Sequence, residues 1–166
     1  YGHPYGETMT PQDFPYWCNG EVLIVYMKDG FLFLTERIKD LFKTSNGKYI
    51  APQQIETILG GDVFIEQVAV IGNNRNFVTA IIAPNIEAIK GYAAQNNITY
   101  ELVDELMEHP QIYKMMEERI AELQKDMAPY EKIKKFRLIK RGFTIESGEL
   151  TSTLKLRRAV ILQNYA

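Results

Sequence analysis

The stretch "VFIEQVAVIGNNRNFVTAIIAP", residues 63–84, decides how this chain folds. Its two arms, "VFIEQVAVIG" (63–72) and "FVTAIIAP" (77–84), are rich in β-branched and apolar residues, which suit a pleated, buried surface. The polar "NNRN" between them reads as a turn, so the second arm is expected to return along the first. Just before it, "PQQIETIL" reads as a short helix, with Pro52 in its first turn and Gly60-Gly61 ending it. After it, the signal is helical from Asn85 to about Met127. "IEAIKGYAAQNN" follows Asn85 as a cap, and "YELVDELM" follows Thr99 as a cap. Further on, Pro110 suits a first turn, and Ile112, Met116, Ile120, Leu123 and Met127 recur at helical spacing. That stripe is read as core, not as a ligand box.

Toward the ends of the chain, "EVLIVYMKDGFLFLT" (21–35) is two β-rich runs joined at Asp29-Gly30, a hairpin signal. "KIKKFRLIKRGF" (132–143) alternates charge and hydrophobe loosely, as a half-buried strand does; "ESGEL" turns, and "LKLRRAVILQNY" (154–165) reads as a closing amphipathic helix. The expected fold class is α+β: a small N-terminal β-hairpin followed by a compact domain with a mostly antiparallel sheet flanked by helices.

A chain of 166 residues is about one domain's worth, and its 46% apolar and 24% charged composition is ordinary for a soluble globular protein. The lone Cys18 cannot form an internal disulfide, which points to a reducing compartment and a cytoplasmic location. No apolar run approaches the roughly 18 residues that span a bilayer. The opening "YGHPYGETM" has neither signal-peptide pattern nor initiator Met, so the chain is expected to be a piece of a longer polypeptide. The net charge of −2 hides an asymmetry. Residues 1–124 hold 9 Lys+Arg against 17 Asp+Glu (−8), and residues 125–166 hold 10 against 4 (+6). Such a basic third suits a solvated face, an acidic docking partner or a phosphate-bearing ligand.

Common catalytic constellations are missing. His3 and His109 lack the spacing partners of a metal site, so none is expected, and His109 beside Pro110 reads as a helix-start residue. There is no GxSxG, P-loop or Rossmann glycine fingerprint. Two segments remain. In "TERIKDLFKTSNGKYIAP" (35–52), charged side chains crowd around Gly47, which can take positive φ and let a thin ligand approach. Arg37 offers a planar fork for oxygens, and Lys39 a mobile point charge. In "SGELTSTLKLRR" (147–158), Lys155 stands at a loop-to-helix junction from which it could reach a phosphate or carboxylate. On spacing alone, a solvated turn and a surface lysine explain these segments as well.

Taken together, in this order and separation, the segments resemble the C-terminal domain of adenylate-forming acyl-CoA synthetases, closest to the long-chain fatty acid–CoA ligase group. The resemblance is carried by "DGFLFLTERIKDLFKTSNGKYIAPQQIE" (29–56), "FIEQVAVIG" (64–72), "YEKIKKF" (130–136) and "GELTSTLKLRR" (148–158). It implies a two-step reaction: ATP converts a fatty acid to an acyl-adenylate with loss of pyrophosphate, then the CoA thiol displaces AMP. It implies that residues 1–38 end the large-domain region and form the hairpin leading to a hinge, and that residues 39–166 are a rotating lid.

Residue by residue, Lys155 matches the family lysine that enters for adenylation, and Arg37 the arginine that contacts the AMP ribose. Lys39 matches the hinge position, and Gly47 the turn that approaches the pantetheine channel. The family's "TGD" ribose motif is replaced by "NGE" (19–21), which makes Glu21 the corresponding ribose ligand, and Ser152 stands where the long-chain group often has Pro. The phosphate loop of the N-terminal adenylation domain is absent from this chain. That domain, with fatty acid, ATP/AMP, CoA and Mg²⁺ (the metal held mainly there), makes up the implied partners, and the isolated chain is expected to be inactive. The competing expectation is a non-catalytic remnant or interaction module docking through the basic C-terminal third. Peripheral membrane contact is left open. Nucleic-acid binding through "KIKKFRLIKR" is not expected, because acidic residues dominate the remainder and Phe136 is the one aromatic in that stretch.

Overall fold

Strand pairing follows the polar turn at residues 73–76. A computed structural model describes residues 23–28, 31–37 and 41–165. In it β5 (Ile65–Ile71) runs antiparallel to β6 (Val78–Pro84), with Val68 opposite Ile82 and Val70 opposite Ala80. Asn74 takes a φ of 56° in the turn, a conformation that Asn tolerates. The first strand starts at Ile65, not Val63, because Asp62 organises a turn there. Its carboxylate accepts from the Phe64 N–H at 2.9 Å and its carbonyl from the Ile65 N–H at 3.1 Å.

Among the described residues five further strands precede this pair or complete its sheet. The hairpin of β1 (Leu23–Lys28) and β2 (Phe31–Arg37) lies where Asp29-Gly30 predicts it. A second small ladder, β3 (Phe42–Lys43) with β4 (Tyr49–Ile50), encloses the Gly47 turn. The last strand, β7 (Ile133–Leu138), pairs with β6 in parallel, giving the sheet order β5-β6-β7. All other ladders are antiparallel, as expected. The parallel one requires a crossover, and α2 (Ile86–Gln95), α3 (Val103–Glu108) and α4 (Pro110–Leu123) supply it.

Caps explain the helix boundaries. Asn85 accepts from the Ala88 N–H at 3.2 Å, and His109 caps α4 by accepting from Gln111 N–H at 3.3 Å, both as expected. Thr99 does not cap α3. That helix starts after Leu102, where the Glu105 carboxylate reaches back to the Glu101 and Leu102 N–H groups at 3.0 and 3.4 Å. The core stripe on α4 holds for buried Ile112, Met116 and Ile120; Leu123 and Met127 pack at its edge, although Met127 lies beyond the helix end. Buried Gln124 then clamps α4 to β7, exchanging hydrogen bonds with both main-chain groups of Ile133.

Period-two alternation divides the core between the faces of the sheet. Val68, Val70, Ala80 and Ile82 face α1 (Pro52–Gly60) and the crossover helices. Ala69, Ile71, Ile81 and Ala83 face a smaller cluster with Phe143, Leu150 and Ile161, the last on α5 (Arg158–Tyr165). Among the described residues no helix is long and apolar enough to cross a membrane.

The β3–β4 ladder is fastened to the β5–β6 turn. Asn74 N–H donates to Lys43 O at 2.9 Å, Ser45 N–H to Arg75 O at 3.0 Å, and Phe42 lies against Gly72. A Cβ on Gly72 would sit 2.5 Å from Phe42 Cε2 and 2.8 Å from its Cζ. Gly72→Ala should therefore force the ring aside and cost about 1–3 kcal/mol, the usual scale of overpacking. Urea unfolding measures this, and wild-type stability would mean that Phe42 has room to move.

Candidate functional site

The Gly47 turn owes its shape to Thr44. This residue is buried; its N–H donates to Lys48 O at 2.9 Å and its hydroxyl oxygen accepts from Lys48 N–H at 3.2 Å. Gly47 closes the turn with a bond to Thr44 O at 2.9 Å and a φ of +79°. A Cβ there would meet only Lys43 Cε at 3.8 Å, so within the lobe the backbone angle, not lack of space, calls for glycine. Around it, the Lys43 ammonium lies 5.5 Å from the Tyr49 ring centre and that of Lys48 5.5 Å from the ring centre of Tyr130. Both rings are exposed, 61% and 46%. The turn thus presents a bare backbone bend between cations and open aromatic faces.

Lys155 sits on a different support. Leu150 and Leu156 pair across a tight hairpin, Thr151 N–H donates to Lys155 O at 2.9 Å, and Lys155 N–H donates to the Thr151 hydroxyl at 3.0 Å. Helix α5 begins only at Arg158, so Lys155 lies in the loop before it. Its side chain is exposed, and among the described residues no carboxylate pairs with its ammonium. The preceding Leu154 has a φ of 60° and is 69% exposed.

Beneath the hairpin lies a group that sequence reading missed. The Glu149 side chain is fully buried, yet it receives Arg141 Nη1 at 2.8 Å, Arg141 Nη2 at 3.1 Å, Ser147 Oγ at 2.6 Å and Asn164 Nδ2 at 3.0 Å. Burial pushes the carboxyl pKa up, but these hydrogen bonds outweigh it and hold the group down at about 2. The Tyr165 hydroxyl is buried beside it without a partner in hydrogen-bonding geometry, and burial together with the Glu149 charge pushes its pKa up. A second pair fixes the start of α5. Arg158 donates to both oxygens of Glu56 on α1, at 2.8 and 2.7 Å, and to Val70 O on β5 at 3.3 Å. Burial raises the Glu56 pKa, with Arg158 opposing. The sequence signal available for both pairs was an acid and an arginine flanking the "LTSTLKL" loop; nothing in their spacing names their partners.

The two segments are held apart, each on its own support. Among the described residues no hydrogen bond or ion pair links residues 44–48 to residues 150–157. A groove of about 300 Å³ lies between β3, β5 and α5, walled by Phe42, Gly72, Ala159 and Leu162. Its one charged wall residue, Arg158, is already bound to Glu56. Of the other predicted residues, Arg37 lies on β2 opposite Leu23, while Glu21 and Lys39 fall outside the described residues. Among the described residues no three His, Cys, Asp or Glu side chains gather as a metal site. Much of the basic C-terminal third is spoken for inside the lobe: Arg141 binds Glu149, Arg158 binds Glu56, Lys140 binds Asp104 and Arg137 donates to Tyr165 O.

Comparison with known proteins gives a consistent set of matches. The family described as the AMP-binding enzyme C-terminal domain matches residues 39–166. A long-chain fatty-acid–CoA ligase of Mycobacterium tuberculosis is 32% identical over 140 residues, covering 84% of this chain and 23% of the relative. Human long-chain fatty-acid–CoA ligase 1 is 32% identical over 152 residues, covering 90% of this chain and 22% of the relative. The chain thus spans less than a quarter of the length of these curated relatives. Among solved structures, the adenylation domain of a carboxylate reductase from Mycobacterium chelonae aligns with a TM-score of 0.67 and 25% identity, over 89% of this chain and 21% of that one. The adenylation domain of a carboxylic acid reductase from Segniliparus rugosus, in complex with AMP, aligns with a TM-score of 0.61 and 25% identity, over 89% and 21%.

The buried carboxylate gives the lobe an acid signature. Because the folded-state pKa of Glu149, about 2, lies below its ordinary value of 4.5, its contribution is fully present above pH 4.5 and is lost as the pH falls toward 2. Replacing it by Gln should flatten the stability–pH curve in that window, as measured by urea unfolding at stepped pH. An unchanged slope would show that the carboxylate is not held ionised.

Proposed function

Because the chain belongs to the family of AMP-binding enzyme C-terminal domains, we propose that it is the lid of an AMP-forming long-chain fatty acid–CoA ligase, inactive or nearly so without its large domain. The names of its relatives support the substrate class. In this reading residues 1–38 end the large domain and lead to a hinge at Lys39, with Arg37 and Glu21 on the AMP ribose. Residues 39–166 rotate between the two half-reactions. Fatty acid, ATP and CoA bind mainly to the large domain. Among the described residues no three His, Cys, Asp or Glu side chains gather as a site for Mg²⁺, and the metal is proposed to be held mainly by the large domain. The cytoplasm is the proposed location.

The observation that carries this reading is the exposed Lys155, with no acidic partner among the described residues, at the edge of a braced hairpin. In adenylation a fatty-acid carboxylate oxygen attacks the α-phosphorus of ATP and the bond to pyrophosphate breaks. Both reactants are anionic, so a cation fixed between them lowers repulsion and stabilises the charge that builds up in the transition state. In the second step the CoA sulfur attacks the acyl carbonyl carbon and AMP departs. There Gly47 offers a bend without a side chain, and Lys43 and Lys48 flank it with positive charge.

Separate assays of pyrophosphate release and acyl transfer to CoA, in the ligase polypeptide bearing this lobe, test both assignments. Lys155→Ala should slow adenylation by about 10²–10³-fold, as loss of a preorganised electrostatic contact does, and untouched adenylation would remove the role. Gly47→Leu should impair acyl transfer more than adenylation. Gly47→Ala carries the same backbone strain at positive φ, so the difference between the two variants isolates side-chain bulk. Equal losses in both half-reactions would rule out a second working face.

A further inference from the structure

A lysine ammonium hangs on a flexible stem, so the place it reaches is decided by the backbone that carries it. Around Lys155 that backbone is constrained on both sides by hydrogen bonds across the hairpin. Leu154, immediately before it, holds a φ of 60° with its side chain in solvent. An L residue takes that conformation only where its surroundings impose it. At the base of the hairpin, Glu149 accepts from Arg157 N–H through its main-chain carbonyl at 2.8 Å, while its side chain is fully buried. Glutamate is almost never fully buried unless paired, and an apolar residue of similar volume would fill such a site without the cost of desolvating a charge. What the charge adds is direction. Its donors come from three places: Arg141 in the segment after β7, Ser147 in the turn, and Asn164 on α5. One carboxylate therefore ties the entry of the Lys155 hairpin to the strand before it and the helix after it.

We propose that Glu149 is a positioning residue for Lys155, and that with Arg141 it locks the 150–156 hairpin in the orientation that presents the ammonium to the anionic reactants of adenylation. This rests on the role proposed above for Lys155.

The test uses the ligase polypeptide bearing this lobe, with palmitate, ATP and CoA, and the variants Glu149→Gln, Lys155→Ala and the two combined. Pyrophosphate release without CoA reads adenylation, transfer from preformed palmitoyl-adenylate reads the second step, and circular dichroism reads folding. Glu149→Gln should slow adenylation by about 10–100-fold, the scale of a reacting group misplaced by about an ångström, and leave acyl transfer within about twofold. The double variant should be no slower than Lys155→Ala alone, because Glu149 acts through the lysine. If Lys155→Ala cripples adenylation and Glu149→Gln does not, the positioning role is overturned while the function of Lys155 stands. If Lys155→Ala is itself harmless, both fall. Equal loss in the two half-reactions, or further loss in the double variant, would make Glu149 a structural residue only. Should Glu149→Gln fail to fold, Arg141→Lys is read by the same criteria, since it keeps the charge and removes the fork.

Discussion

The lobe depends on a three-stranded sheet that is covered on both faces. A strand sends alternate side chains to opposite sides, so β5 and β6 must be apolar at nearly every position to bury against α1 and the crossover helices on one face and α5 on the other. Both segments proposed to meet ligands are attached to the margins of this layer. The Gly47 turn is stitched to the bend between β5 and β6, and the Lys155 hairpin bridges the exit of β7 and the start of α5.

The two margins are braced by different physics. Around Gly47 the bracing comes from neutral hydrogen bonds, those of Thr44, Ser45 and Asn74, and from the fit of Phe42 over Gly72. Around Lys155 it is ionic, with a buried carboxylate under the hairpin and an arginine fork at the start of α5. A neutral hydrogen bond contributes modestly and a charge-assisted, bidentate one roughly twice as much, with a fixed direction. The stronger device stands beside the Lys155 ammonium, the gentler one beside the bare bend at Gly47.

The same pairings change the meaning of the basic C-terminal third. Its net charge of +6 suggests an outward-facing patch, but several of its cations turn inward or along the surface to Glu149, Glu56, Asp104 and the end of α5. Arg158 in particular stabilises the fold at a junction, and its closeness in sequence to Lys155 does not make it a partner in chemistry. This narrows the basic surface available to a docking module that works through general basicity; Lys155 is among the cations that stay exposed with no acidic partner among the described residues.

Much of this architecture was legible from local pattern. The antiparallel pair around residues 73–76, the front hairpin, the caps at Asn85 and His109 and the α4 stripe at Ile112, Met116 and Ile120 are each settled by neighbours a few residues away. The order and separation of the "TSNGK" and "GELTSTLKLRR" segments likewise carried the family. Other features depended on partners far along the chain. The parallel placement of β7 came from where the crossover helices returned the chain. Glu149 with Asn164, and Glu56 with Arg158, meet only when α5 folds back over the sheet. Sequence alone therefore determined most of the longer helices and strands, because those follow from periodicity and turn chemistry. Tertiary structure alone decided which charges are buried and what they hold, because the energy of a charge depends on its surroundings in space and not on its neighbours along the chain.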